Sequence, residues 1–110
     1  MRLPGAESAV VPVEKLTGYL LSLAHPVGRS KAVFFRALGY DETNAELLTA
    51  GLTSIVADNE VAETEATEFG TKYAVEGTLV TPSGVTTSLR TVWILRSGEA
   101  TPRFVTAYPA

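Results

Sequence analysis

The heptapeptide His25-Pro26-Val27-Gly28-Arg29-Ser30-Lys31 gathers an imidazole, a guanidinium, a hydroxyl and an ammonium at what reads as the start of a helix. A helix N-terminus presents backbone N–H groups without intrahelical partners and carries the positive end of the dipole, so it holds anions, phosphate above all. Cations in a first turn oppose that dipole by about 0.3 kcal/mol or more each, and their presence here calls for a counter-charge. Arg29, Ser30 and Lys31 are therefore the candidate phosphate-binding residues. His25 is the only histidine, and an imidazole exchanges protons near neutral pH, which makes it a candidate acid or base. The same segment also reads as plain structure, with Ser30 as an N-cap, Gly28 easing a turn and both cations solvated.

A second group of polar side chains lies near the C-terminus. Along Val85–Arg96, Arg90 alternates onto the face opposite Leu89, Thr91, Trp93 and Leu95. In the last strand the same alternation puts Phe104, Thr106 and Tyr108 on one face and Arg103, Val105 and Ala107 on the other. Arg90, Thr106 and Tyr108 on neighbouring strands could hold a phosphodiester and stabilise charge developing on it. The alternative is packing, with Tyr108 capping the core and Arg90 bridging to a carboxylate such as Glu76. Trp93, Phe34 and Phe35 read as core residues.

Charge is sorted along the chain. Asp41 to Glu76 holds nine acids and one base, Lys72, for −8, whereas the two flanks hold eight bases and three acids, for +5. The net −3 thus conceals a basic, histidine-bearing surface that forms if the two ends meet in the fold. A pI near 5.1 speaks against tight binding to duplex DNA, which needs many phosphate contacts.

The elements that must position these groups are legible from period. Pro12 suits a first helical turn, and Val13, Leu16, Leu20 and Leu23 recur at helical spacing, predicting a helix over 12–22 that His25-Pro26 ends. A second helix is expected from Gly28–Ser30 to Leu38, with Val33, Phe34, Ala37 and Leu38 as its apolar stripe and Gly39 beyond its end. A third opens at the capping box Thr43-Asn44-Ala45-Glu46, carries Leu47, Leu48, Leu52, Ile55 and Val56 on one face, and stops at Asp58-Asn59. Thereafter the period drops to two. Glu63–Thr67 reads as a solvated edge strand, Thr71–Val80 and Val85–Arg96 as strands joined by the turn Thr81-Pro82-Ser83-Gly84, and Arg103–Tyr108 as the last strand. The expectation is one α+β domain over 1–110, its N-terminal helices packed on one face of a four-stranded antiparallel sheet.

Several classes are set aside. With no cysteine there is neither a disulfide framework nor a thiolate metal site, which fits a reducing cytosol and a cytoplasmic location. The N-terminus lacks the apolar stretch of a signal peptide, and no apolar run is long enough to span a membrane. No phosphate-binding glycine loop follows a strand, and no Gly-x-Ser-x-Gly elbow is present. The Glu63/Glu65/Glu68 cluster reads as a solvated face.

The stretches Leu3-Pro4-Gly5-Ala6, Glu14–Leu21, His25–Lys31, Arg90-Thr91-Val92-Trp93 and Pro102–Pro109 resemble a small bacterial domain family without an assigned activity, some of whose members are tail modules of larger proteins. In layout the chain is similar to the barnase–EndoU–colicin–RelE group of toxin ribonucleases, which cleave RNA without a metal using basic, histidine, threonine or tyrosine side chains on one sheet face. That resemblance implies His25, Arg29, Lys31, Arg90, Thr106 and Tyr108 as site residues, although the chain departs from many such toxins in its acidic bulk. The leading expectation is a metal-independent ribonuclease-like toxin domain that needs no cofactor. His25 or Tyr108 would move the proton, Arg29 and Lys31 would bind phosphate, and Arg90 with Thr106 would stabilise the pentacoordinate charge. Its partners would be RNA and a cognate inhibitor protein. The alternative is a non-enzymatic interaction module that pairs with another protein or forms a homo-oligomer. A binder of small phosphorylated ligands is a third reading.

Overall fold

Period-two patterning yields strands β1 (Val61–Thr67), β2 (Gly70–Val80), β3 (Thr86–Arg96) and β4 (Arg103–Pro109) in a computed structural model that describes residues 1–110. They form one antiparallel sheet in the order β1-β2-β3-β4, so β1 and β4 are its edges. Ahead of the sheet come a single turn, α1 (Val13–Lys15), then α2 (Arg29–Ala37) and α3 (Ala45–Asp58). The fold is α+β, helices first, as the order of periods predicts.

Helix α3 lies against β2, and glycine permits the close approach. A Cβ on Gly51 would fall 2.4 Å from Leu79 Cδ1, and one on Gly77 3.0 Å from Ile55 Cγ2. Leu48, Leu52, Ile55 and Val56 of α3 join Tyr73, Val75, Leu79, Leu89 and Trp93 of the sheet in a core of 18 buried residues. Leu47, expected on that face, is instead 51% exposed. In α2 the buried residues are Ala32 and Phe35, while Val33 is exposed, so the stripe is rotated by one residue from the expected one.

Three local departures reset which side chains face where. The first helix does not continue as a regular α-helix: after Lys15 it widens into a π turn over Leu16–Leu20, and the Leu21 N–H donates to the Leu16 carbonyl at 2.7 Å. The extra residue rotates the face, so Leu16, Leu20 and Leu21 are buried while Val13 and Leu23 are exposed. In β4, Phe104 pairs with Trp93 but Thr106 pairs with Val92, leaving Val105 as an unopposed bulge residue. The bulge flips the parity: Phe104 and Ala107 are buried in the core, and Thr106 and Tyr108 lie on the outer face of the sheet with Arg90 and Val92. Phe104, Thr106 and Tyr108 were expected on one face, and the bulge removes Phe104 from it.

The third departure is the start of α3. Its N-cap is Asn44, which makes no side-chain cap bond, so the expected capping box is absent. Instead the Thr43 amide and hydroxyl donate to Asp41 Oδ1 at 2.8 and 2.5 Å, and the Asp41 amide donates to Asn44 Oδ1 at 2.8 Å. The Thr43 hydroxyl, then its amide, hold the Asp41 carboxyl below the usual carboxylate range. A carboxyl depressed in the folded state contributes stability above about pH 4 that is lost as pH falls through its folded value. Asp41→Asn is therefore expected to narrow the gap between the urea midpoints measured at mildly and strongly acidic pH. An unchanged gap would show that the Thr43 bonds do not govern acid stability.

Candidate functional site

The outer face of the sheet is laid out in rows by the strand register. Glu76, Arg90 and Tyr108 form one row; Glu63, Ala74, Val92 and Thr106 the next; Glu65, Lys72, Ile94 and Arg103 the third. Apart from Lys72 on β2, acids lie toward β1 and β2, and bases and hydroxyls toward β3 and β4. Arg90 Nη1 donates to Glu76 Oε2 at 2.6 Å, and its Nη2 pairs with Glu63. The Glu76 carboxylate first, with Tyr108 and Glu63 behind it, raises the Arg90 guanidinium above its ordinary range. Arg90 is thus held by carboxylates, the arrangement that the packing alternative anticipated, with the Tyr108 ring beside it.

Thr106 brings the tail of the chain to the head. Its hydroxyl lies 3.0 Å from the hydroxyl of Tyr19, which projects from the π turn. Tyr19 is the hub of the site. The His25 ring meets it edge-on at a centroid distance of 5.0 Å, and the Lys15 and Lys31 ammonium groups stand 5.5 and 5.9 Å from its ring centroid. Such placements over an aromatic face are attractive. Gly28 makes the packing possible, because a Cβ there would fall 2.4 Å from the Tyr19 carbonyl oxygen and 2.9 Å from Tyr19 Cδ1. The motif glycine is required for close approach to Tyr19.

The His25 ring is fixed by its own turn. Nδ1 accepts from the amides of Val27 at 3.1 Å and Gly28 at 2.9 Å, and the Arg29 amide donates to the His25 carbonyl at 3.0 Å. Two donors on Nδ1 assign the neutral tautomer with hydrogen on Nε2. The ring therefore presents an N–H donor, suited to a phosphate oxygen, and satisfies the Val27 and Gly28 amides just ahead of α2. Of the three residues expected to bind phosphate there, Lys31 turns to Tyr19, while Arg29 and Ser30 stay exposed on the first turn of α2. None of Lys15, Arg29 and Lys31 takes part in any of the five ion pairs of the chain.

Sequence reasoning passed over Tyr19 and Lys15. Tyr19 falls off the apolar stripe of the first helix, and its value comes from long-range pairing with Thr106. The available signal was the Lys15/Tyr19 spacing of four, which puts a cation above an aromatic ring on one helix face. No group of three or more His, Cys, Asp or Glu side chains assembles in metal-binding geometry, and no helix is long and apolar enough to cross a membrane.

A family model described as a domain of unknown function (DUF6883) matches residues 2–110, and the chain belongs to that family. No curated protein matches it. Among solved structures, the chain is similar to one chain of a contact-dependent growth inhibition toxin–immunity protein complex from Klebsiella pneumoniae 342. The TM-score is 0.72 with 19% sequence identity, over 93% of this chain and 100% of that one. At that identity the likeness is one of fold.

Proposed function

We propose that this DUF6883 domain is an RNA-cleaving member of a toxin–immunity system, with Tyr19 at the centre of its site. The observation that carries the reading is the convergence on Tyr19 of Lys15, His25 and Lys31 from the N-terminal half and Thr106 from the last strand. The fold it shares with a chain of a toxin–immunity complex supports a role in such a system.

In this reading a ribose 2′-oxygen attacks the adjacent phosphorus and expels the 5′-oxygen, leaving a 2′,3′-cyclic phosphate and a free 5′-hydroxyl. Lys15, Lys31 and the His25 Nε2–H stabilise the negative charge that grows on the non-bridging oxygens. The Tyr19 phenol gives its proton to the departing 5′-oxygen, and Thr106 hydrogen-bonds the phenolate left behind. The proton of the attacking hydroxyl passes to solvent, from which Tyr19 is later reprotonated. Arg90, held by Glu76 and Glu63, is a positioning residue for Tyr108, and Tyr108 flanks the bound strand. This assignment moves proton transfer from His25 or Tyr108 to Tyr19, because His25 Nδ1 is engaged by two backbone amides and Tyr108 lies beside Arg90 in another row.

The test is induced expression together with RNA cleavage by purified protein in the presence of a chelator. The wild-type domain should arrest growth and degrade RNA, and His25→Ala should cut cleavage about 100-fold, the typical cost of losing one oxyanion donor. Arg90→Ala should retain most activity. Equal, negligible cleavage by all three proteins would reject the reading.

A second reading, a non-enzymatic partner in such a system, is favoured by a groove of about 420 Å³ between α3 and the β2–β3 turn. Its rim exposes Leu47 and Val80, the latter 74% exposed, as a surface that another protein could cover. Growth arrest by the wild-type domain decides against it.

A further inference from the structure

Three cations that the phosphate site does not use lie next to it. Lys72 on β2, Arg96 on β3 and Arg103 on β4, together with Lys15, surround a groove of about 320 Å³ on the outer face of the sheet. Ile94 sits between Lys72 and Arg103 in one cross-strand row, and Glu14 is the only acid lining the groove. Lys15 belongs to both places, since it lines the groove and stands over the Tyr19 ring.

We infer that this groove is a track for the phosphates of a single-stranded polynucleotide leading away from the bond cut at Tyr19. The inference rests on the reading of that site as one for RNA. Of the four cations only Arg103 has a carboxylate within ion-pair reach, Glu99 at 3.9 Å, and that exposed contact is weak. Four cations around a hollow that Glu14 alone lines as an acid leave an excess of positive charge, and a polyanion relieves their repulsion while releasing its own counter-ions. The size of the groove fits a single backbone and not a duplex. Its chemistry is phosphate recognition alone: Phe104 lines it but is buried in the core, so no aromatic face is offered for base stacking. The track therefore holds any sequence.

The experiment compares the wild-type domain with Lys72→Ser/Arg96→Ser/Arg103→Ser, all surface positions, after circular dichroism has shown both to be folded. Binding of a labelled 2′-deoxy oligonucleotide, which lacks the attacking hydroxyl, is followed by fluorescence anisotropy across rising KCl. Each cation on a single strand contributes about 0.7 to the slope of log affinity against log salt, so the triple variant should lose about 2 from that slope. Near 0.1 M salt this corresponds to a loss of roughly 100-fold in affinity. Cleavage of a dinucleotide, too short to enter the groove, should be unchanged. Equal affinities and slopes for the two proteins overturn the track, as does polyglutamate that binds the wild type more tightly than the oligonucleotide. Should the triple variant lose that much slope while the wild type cleaves nothing, the track stands and the catalytic reading fails.

Discussion

Replacing Tyr19 by phenylalanine should lower RNA cleavage by about 10²- to 10⁴-fold, the range for losing a positioned acid, while the domain remains folded. The substitution deletes one oxygen. It keeps the ring on which Gly28 packs, the edge contact with His25, and the two ammonium groups above the face. What disappears is the half-buried hydroxyl pair with Thr106 at 3.0 Å, worth about 1 kcal/mol of stability. Thr106→Val separates the two roles of that pair. It removes the partner of the Tyr19 hydroxyl but not the hydroxyl itself, so its effect on cleavage should be smaller. Single-turnover cleavage of a defined oligoribonucleotide, with thermal denaturation as the control for folding, measures both. If Tyr19→Phe cleaves within a few-fold of wild type, the proton comes from another group.

The largest expected loss of stability is at Trp93. Trp93→Ala should cost about 3–5 kcal/mol, the range for removing a buried aromatic side chain and leaving its cavity. Trp93 is fully buried and meets Phe104 at a centroid distance of 5.4 Å in a T-shaped pair. Its indole N–H donates to Thr91 Oγ1 at 2.9 Å, and the Thr91 hydroxyl donates in turn to the Val75 carbonyl at 2.7 Å. This chain of bonds ties β3 to β2 inside the core, and it explains how a threonine can be buried there without penalty. Trp93→Phe keeps much of the volume and the Thr91–Val75 bond, so it should cost clearly less than alanine. Urea denaturation of the three proteins gives the values directly; similar midpoints for wild type and Trp93→Ala would show that the indole is not central to the core.

The strands were legible because each carries a clean period of two between turn residues: Tyr73, Val75 and Leu79 in β2, and Leu89, Thr91 and Trp93 in β3, are the buried sets that alternation picks out. Thr106, Arg90 and Tyr108 were named as neighbours on adjacent strands, and the register makes them so. What alternation could not show is the bulge at Val105, because an inserted residue leaves no trace in composition and yet exchanges the two faces of the strand. The π turn is hidden for a similar reason. Val13, Leu16, Leu20 and Leu23 fit a regular helix as well as they fit the widened turn, and only packing against the core decides for Leu20 and Leu21. Tyr19 is displayed by that widened turn and matters through a residue 87 positions away. Long-range pairs of this kind are set by the tertiary fold and leave no mark in the local pattern of the sequence.

The helix expected to open in His25–Lys31 does so, with α2 starting at Arg29. The His25 ring engages the Val27 and Gly28 amides just ahead of the helix, and Lys31 of the first turn stands over the Tyr19 ring. Charge sorting along the chain has a spatial counterpart. Glu63 of β1 and Glu76 of β2 neutralise Arg90 on the outer sheet face, whereas Lys15, Arg29 and Lys31 of the N-terminal half take part in no ion pair.

The most direct measurement is a crystal structure of the domain with a 2′-deoxy dinucleotide, whose single phosphate cannot be attacked. The account predicts that this phosphate lies within hydrogen-bonding reach of the Lys15 and Lys31 ammonium groups and His25 Nε2, with its 5′-oxygen turned toward the Tyr19 hydroxyl. A phosphate seated away from Tyr19, or a crystal in which these side chains hold only solvent at saturating dinucleotide, would contradict it.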